Sequence, residues 1–284
     1  MKFLILGSAG MAGHQIALYL KESGHDVEGF ARRKLSGLTS IVGDVRNTDL
    51  LRKTILNGKY DSVVNCVGIL NQFAESNKEN AVFINSYLPH FLADITSETD
   101  TQIIHMSTDC VFSGATGNYT EDSLRDGTTF YDRTKALGEL EDNKNITLRN
   151  SIVGPDINPE GIGLLNWFMK QKGEIKGYTK AMWTGMTTFQ LAKVIEKAAE
   201  EKACGLYNMV PKGNISKFDL LGLFNRYLRD GKITILPFEG FVADKTLIRT
   251  RFDFGMTVPD YEIMVSEMAQ WMFEHKDLYP HYNL

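Results

Sequence analysis

Three glycines near the amino end, Gly7-Ser-Ala-Gly10-Met11-Ala-Gly13, sit between an apolar run and a helical repeat. The run Lys2–Leu6 reads as a buried strand. After the glycines, Ile16, Ala17 and Leu20 recur at helical spacing, and Gly24 supplies a stop. Strand, glycine turn and helix in that order constrain the chain more than any other feature. Glycine lets backbone approach a pyrophosphate, and the free N–H groups at a helix start attract the anion. Gly7, Gly10, Met11 and Gly13 are therefore the candidate cradle of a dinucleotide. Their spacing, Gly-x-x-Gly-x-x-Gly, differs from the more frequent Gly-x-Gly-x-x-Gly.

The chain beyond this helix alternates in the same manner. Strands are expected at 26–31, 40–42, 61–66, 102–107 and 146–148, with helices between them, Asn47 capping the one at 48–56. A long amphipathic helix is expected over 82–96, bent by Pro89. Such alternation predicts an α/β fold, a Rossmann-type doubly wound parallel sheet with helices on both faces. Ligands of such sheets bind beyond the carboxyl ends of the strands. Gly7, Asp44-Val45, Asn65-Cys-Val67-Gly68 and Thr108 all fall there. The second strand ends in Ala31-Arg32-Arg33, where an NAD site usually has an acid. Two guanidiniums suit a 2′-phosphate, so NADPH is expected, with NADH possible.

The run that ends at Ser107-Thr108-Asp109 is followed by Tyr131-Asp-Arg-Thr-Lys135. Spacing of i, i+4 puts the phenol and the ammonium on one helix face. A cation beside the phenol favours the phenolate and is expected to lower its pKa from about 10. Such a tyrosine exchanges a proton with a carbonyl or alcohol oxygen, and a hydroxyl from Thr108 or Ser107 would hold that oxygen.

The pattern loosens after Gly154-Pro155. A helix is expected over 161–172, a short strand near 175–178, and a capping box at Thr187–Gln190 before a helix over 191–202. The strand 205–210 is read as returning to the main sheet. Residues 1–152 with about 187–210 are expected to form the dinucleotide domain, and 153–186 with 211–284 a smaller mixed substrate domain. A net charge of -4 and no block of like charge argue against a nucleic-acid partner. No apolar run reaches the roughly 20 residues that span a bilayer. Cys66, Cys110 and Cys204 lack metal spacing, and the start shows no signal-peptide pattern, so a cytoplasmic protein is expected.

Taken together, these motifs resemble the extended short-chain dehydrogenase/reductases, and within them the dTDP-4-dehydrorhamnose reductase group. The residues that carry the resemblance are Gly7-x-x-Gly10-Met11-x-Gly13, Asp44-Val45, Asn65-x-x-Gly68, Ser107-Thr108-Asp109-x-Val111-Phe112-x-Gly114, Tyr119-x-Glu121 and Tyr131-x-x-x-Lys135-x-x-Gly138-Glu139. The resemblance implies NAD(P)H-dependent reduction of a nucleoside-diphosphate 4-keto-6-deoxyhexose for surface polysaccharide synthesis. Thr108 would polarise the keto oxygen, Tyr131 protonate it, and Lys135 hold the nicotinamide ribose and lower the tyrosine pKa. Asp109, Cys110, Phe112, Asn150, Trp167 and Arg249 are the candidate substrate contacts. Cys110 replaces an aromatic residue frequent in the group, no proline precedes Tyr131 closely, and no tryptophan follows Arg149. Gln15 and Gln190 stand where acidic metal ligands would be sought, so no metal is expected. Alternatives on the same scaffold are a nucleotide-sugar epimerase or dehydratase, and a non-catalytic regulatory subunit. A monomer or homodimer is expected.

Overall fold

The computed structural model describes all 284 residues. Strand β1 (Lys2–Leu6) turns through the glycines into helix α1 (Met11–Glu22), followed by β2 (Asp26–Ala31) and β3 (Thr39–Val42). Helix α2 (Thr48–Gly58) begins at Asn47, whose side chain accepts the Leu50 N–H, and leads to β4 (Ser62–Asn65). Two short helices, α3 (Asn71–Ser76) and α4 (Lys78–Ala81), come next. A π-helical segment at Val82–Tyr87 and α5 (Leu88–Ile95) complete the crossover to β5 (Gln102–Ser107). A 3-10 turn (Asp109–Val111), α6 (Phe130–Leu137) and β6 (Ile146–Arg149) close this part.

These strands pair in parallel in the order β10-β6-β5-β4-β1-β2-β3, where β10 is Gly205–Asn208, returning as expected to the sheet edge. Alternate residues of β1 show why both faces are covered. Phe3 and Ile5 enter a core shared with Ile16 and Leu191, whereas Leu4 and Leu6 enter a second core shared with Leu51 and Leu92. Strand order reverses between β1 and β4, which opens a crevice beyond their carboxyl ends.

The expected bent helix over 82–96 is a helical path with a π turn instead. Pro89 has no N–H to offer the Asn85 carbonyl, so the regular ladder cannot run through that turn. The turn aims Asn85 at the Ile69 backbone and the Thr134 hydroxyl, and Ser86 at the Thr134 carbonyl. Helix α6 is thereby tied to the loop after β4.

In the later chain β7 (Ser151–Val153) precedes α7 (Leu164–Met169), shorter than the helix expected over 161–172. Strand β8 (Glu174–Trp183) is far longer than the expected 175–178, and β9 (Gly185–Thr187) pairs with β7. Thr187 caps α8 (Thr188–Glu201) by accepting the Gln190 N–H. Strand β11 (Ile215–Ser216), α9 (Lys217–Leu228), β12 (Thr234–Asp244) and α10 (Tyr261–Glu274) complete the chain's regular elements. A small sheet is ordered β11-β8-β12, with β11 antiparallel and β12 parallel to β8. Trp183, Phe168 and Phe224 share one core with Ile16 and Leu191, so the two sheets are joined by apolar packing.

Candidate active site

The glycine loop fits a pyrophosphate by its own geometry. Gly7 has φ +78°, a value that L side chains rarely adopt, and a Cβ on Gly13 would collide with the Gly7 carbonyl. Gly10 is the N-cap of α1 and offers no side chain to the first N–H groups, which leaves them free for an anion. Met11 begins the helix. Its sulfur lies near Gly163, ahead of α7.

Val67 packs against Gly7 across the crevice. Asn65 is buried and fixes the turn by accepting the Val67 N–H while pairing with His105, and Gly68 stays exposed. At the other end of the crevice Arg33 donates to the Ala9 carbonyl of the loop, and Arg32 is exposed beside it. Asp44 accepts the Arg46 N–H, with Val45 buried behind it. His14 braces the loop from inside. Its Nδ1 lies 2.9 Å from the Gly10 carbonyl, which only accepts, so Nε2 takes the Tyr279 hydroxyl at 2.6 Å. Burial lowers the His14 pKa to about 4, so that tautomer stays neutral.

Helix α6 starts in a capping box, Thr129 with Asp132, and buries Tyr131, Asp132, Thr134 and Lys135. The Lys135 ammonium donates to the Met106 carbonyl at 2.7 Å. Burial pulls its pKa down to about 8, with Glu139 acting the other way. The phenol does not follow the expected direction. Burial raises the Tyr131 pKa well above its usual value, Cys110 and Asp109 add to this, and only the Thr108 hydroxyl opposes it. Loss of water around the ring sets the direction, and the Lys135 ammonium is turned to the Met106 carbonyl. Tyr131 is held as the neutral acid.

The structure separates the two adjacent hydroxyls. Ser107 donates to Glu139 at 2.6 Å, inside a buried group where Arg149 grips the same carboxylate at 2.8 and 2.7 Å. That hydroxyl is spent. Thr108 caps the 3-10 turn by accepting the Cys110 N–H and donates to Asp109 at 3.0 Å, on the Tyr131 side. Burial raises the Asp109 carboxyl, and pushes the Cys110 thiol up to about 12. Cys110 packs with Tyr131.

Among the other expected substrate contacts, two are corrected. Phe112 is fully buried, stacked on Tyr119 at 4.3 Å and capped by the Arg149 guanidinium, because the turn directs it into the core. Arg249 spends its guanidinium on the carbonyls of Arg251, Phe254 and Met256, closing its own loop. Glu121 accepts the N–H groups of Asn208 and Thr250. Asn150 is buried just past β6 with neither side-chain atom paired, and Trp167 is exposed on α7. Gln15 and Gln190 are buried, Gln15 accepting from Thr188 between α1 and α8. No group of three His, Cys, Asp or Glu side chains is placed to hold a metal ion, and no helix is long and apolar enough to cross a membrane.

Sequence reasoning missed two lysines. Lys217 begins α9, 5.0 Å over the Trp183 ring, and its charge acts on Asp109 and Cys110. Lys245 lies 3.8 Å from Asp132 and also acts on Asp109. One signal was present. A lysine directly after the capping Ser216 puts a cation at the positive end of a helix, where it is disfavoured.

The chain is similar to known proteins in both sequence and fold. Over 142 residues the chain is 34% identical to the dTDP-4-dehydrorhamnose reductase of Mycolicibacterium smegmatis, covering 49% of this chain and 40% of that relative. The match thus spans less than half of the relative's length. A dTDP-4-dehydrorhamnose reductase of Aggregatibacter actinomycetemcomitans aligns over 283 residues at 23% identity, covering 94% and 88% of the two chains. The fold matches a dTDP-4-dehydrorhamnose reductase of Bacillus anthracis solved in complex with NADP, with TM-score 0.79 and 20% identity over 94% and 98% of the chains. Residues 1–224 match the model of the RmlD substrate binding domain. That stretch takes in the glycine loop, the Thr108–Tyr131–Lys135 group and Lys217, and on it the chain belongs to the RmlD substrate binding domain family.

Proposed function

We propose that this protein is an NADPH-dependent reductase that converts a nucleotide-linked 4-keto-6-deoxyhexose to the 4-hydroxy sugar, as one step in making a surface polysaccharide. The observation that carries the reading is the meeting of Thr108, Tyr131 and Lys135 at the carboxyl end of β5, with the phenol kept protonated by burial. Reduction of a ketone needs an acid at the oxygen, and a neutral phenol is one. Relatives named for reduction of dTDP-linked keto sugars favour this substrate class.

Each residue then has a task. Gly7, Gly10, Met11 and Gly13 seat the dinucleotide phosphates, Asp44-Val45 and Asn65 to Gly68 line its crevice, and Arg32 with Arg33 takes the 2′-phosphate. Bound there, the reduced nicotinamide supplies a hydride. Thr108 donates to the keto oxygen and fixes the carbonyl, Tyr131 gives that oxygen its proton, and Lys135 holds the ribose hydroxyls and steadies the phenolate left behind. Residues 1–152 with 187–210 serve the cofactor and the remainder the sugar nucleotide. Asp109, Cys110, Asn150 and Trp167 are the sugar-side contacts. The protein works in the cytoplasm as a monomer or homodimer.

The test mixes the protein with NADPH and a panel of nucleotide 4-keto-6-deoxysugars while the nicotinamide absorbance is followed. One NADPH oxidised per sugar reduced is expected. Sugar conversion without net NADPH loss contradicts the reading in favour of an epimerase. No reaction across the panel also contradicts it.

A further inference from the structure

We infer that Glu139 is a positioning residue for the reaction: locked by Arg149, its carboxylate holds Ser107 and thereby fixes the Thr108 hydroxyl beside Tyr131. This deepens, and rests on, the ketoreductase reading above.

The clamp is assembled from three elements. Ser107 ends β5, Arg149 ends β6, and the two stand opposite each other where those strands pair. Glu139 lies two residues past α6. A Cβ on the intervening Gly138 would collide with the Asn85 carbonyl of the π turn, so glycine lets the end of α6 press close to the core. Arg149 meets the Glu139 carboxylate as a fork, with contacts of 2.8 and 2.7 Å to its two oxygens, and Arg125 adds a further bond. Ser107 donates to the same carboxylate at 2.6 Å. Phe112 covers the guanidinium at 5.0 Å, and the Arg149 and Glu139 side chains are 0% and 1% exposed.

A second bond runs beside the first. Lys135, four residues before Glu139, donates to the carbonyl of Met106, the neighbour of Ser107. Two consecutive residues of β5 are therefore held from one stretch of chain, and Thr108 is the next residue along. The turn that Thr108 opens packs on α6, with Cys110 against Tyr131.

An ion pair buried to this degree often adds little net stability over an apolar replacement. What this one supplies is a fixed separation between the strand end that carries Thr108 and the helix that carries Tyr131. Misplacing reacting groups by about 1 Å can cost roughly 10²-fold in rate. The carboxylate also favours the charged form of Lys135, while His105, whose charge Lys135 opposes, is kept neutral by burial.

The experiment measures kcat, KM and the pH profile of NADPH oxidation with a nucleotide 4-keto-6-deoxysugar for the natural protein, Ser107→Ala and Glu139→Gln. Ser107→Ala removes one hydroxyl and leaves the ion pair. Its kcat should fall on the order of 10-fold, as for a displacement of less than about 1 Å, with KM for NADPH unchanged. Glu139→Gln should lower kcat at least as far. It should also move the alkaline limb of kcat/KM to lower pH, because Lys135 loses the carboxylate that favours its charge while Arg149 keeps its own. A melting curve reports on the fold of each variant, and if Glu139→Gln does not fold, Ser107→Ala decides. A Ser107→Ala kcat near the natural value overturns the assignment, as does a loss confined to KM. An alkaline limb that stays in place in a folded Glu139→Gln overturns it too. If the natural protein oxidises no NADPH with any sugar of the panel, the reductase reading fails first and takes this assignment with it.

Discussion

Strands β4 and β6 of the large sheet bury every residue, whereas β12 of the small sheet fully buries none of its eleven. The difference separates what is rigid in this molecule from what is adjustable. In the large sheet, parallel strands covered on both faces hold the glycine loop, Asn65 and Thr108 at fixed points along one crevice. In the small sheet, packing constrains one face of a long pair of strands, and one end of it sits beside the turn after β5. On the proposed function, the reacting groups all belong to the first region.

The largest effect should come from the rigid region. Tyr131→Phe removes the proton donor and should lower kcat by roughly 10²–10⁴-fold, while NADPH binding, read by fluorescence titration, stays near that of the natural protein. Turnover close to normal would make the division of labour wrong.

A second effect concerns pH. The Lys135 pKa is drawn from its usual 10.5 to about 8 by burial, so its charge is kept below that pH and lost above it. The pH profile of kcat/KM should therefore fall by about tenfold per unit above pH 8. The stability sign is opposite. The folded state holds this proton less tightly than the unfolded chain, so the buried charge costs stability below pH 8 and the cost fades between 8 and 10.5. Lys135→Met should accordingly slow the reaction, yet melt at pH 7 no earlier than the natural protein. A lower melting temperature would show that the ammonium stabilises the fold.

Replacing Arg32 and Arg33 together by alanine should cut the preference for NADPH over NADH by about tenfold or more, the loss expected for a charged hydrogen bond. Kinetics with both cofactors decides it, and an unchanged ratio removes the arginines from the site. The smallest effect is expected in the adjustable region. Val242 on β12 is 71% exposed, and Val242→Thr should shift stability by no more than about 0.5 kcal/mol in urea titration. A larger change would show that this strand is covered in solution.

Legibility in the sequence obeys the same division. The strands of the large sheet are short apolar runs because both their faces are dry, with the glycine loop and Thr108 just past two of their ends, so the fold was readable, and the helical spacing of Tyr131 and Lys135 put them on one helix, α6. Strands β8 and β12 were mostly missed because half-wet strands mix Lys176, Thr179 and Glu239 with their apolar residues. The π turn escaped because Pro89 signalled a break without its geometry. The direction of the Tyr131 pKa was misread, since local spacing shows the lysine and tertiary burial is invisible to it. Lys217 is 109 positions from Thr108 in the chain, and the fold alone brings its charge to the site.

The most direct test of the account tracks the hydride itself. NADPH carrying deuterium at the transferable nicotinamide position is consumed with a nucleotide 4-keto-6-deoxyhexose, and the sugar product is read by mass spectrometry and NMR. The account predicts one deuterium at C4 of the sugar for each NADPH oxidised. A converted sugar with no deuterium at C4, or conversion without loss of NADPH, would contradict it.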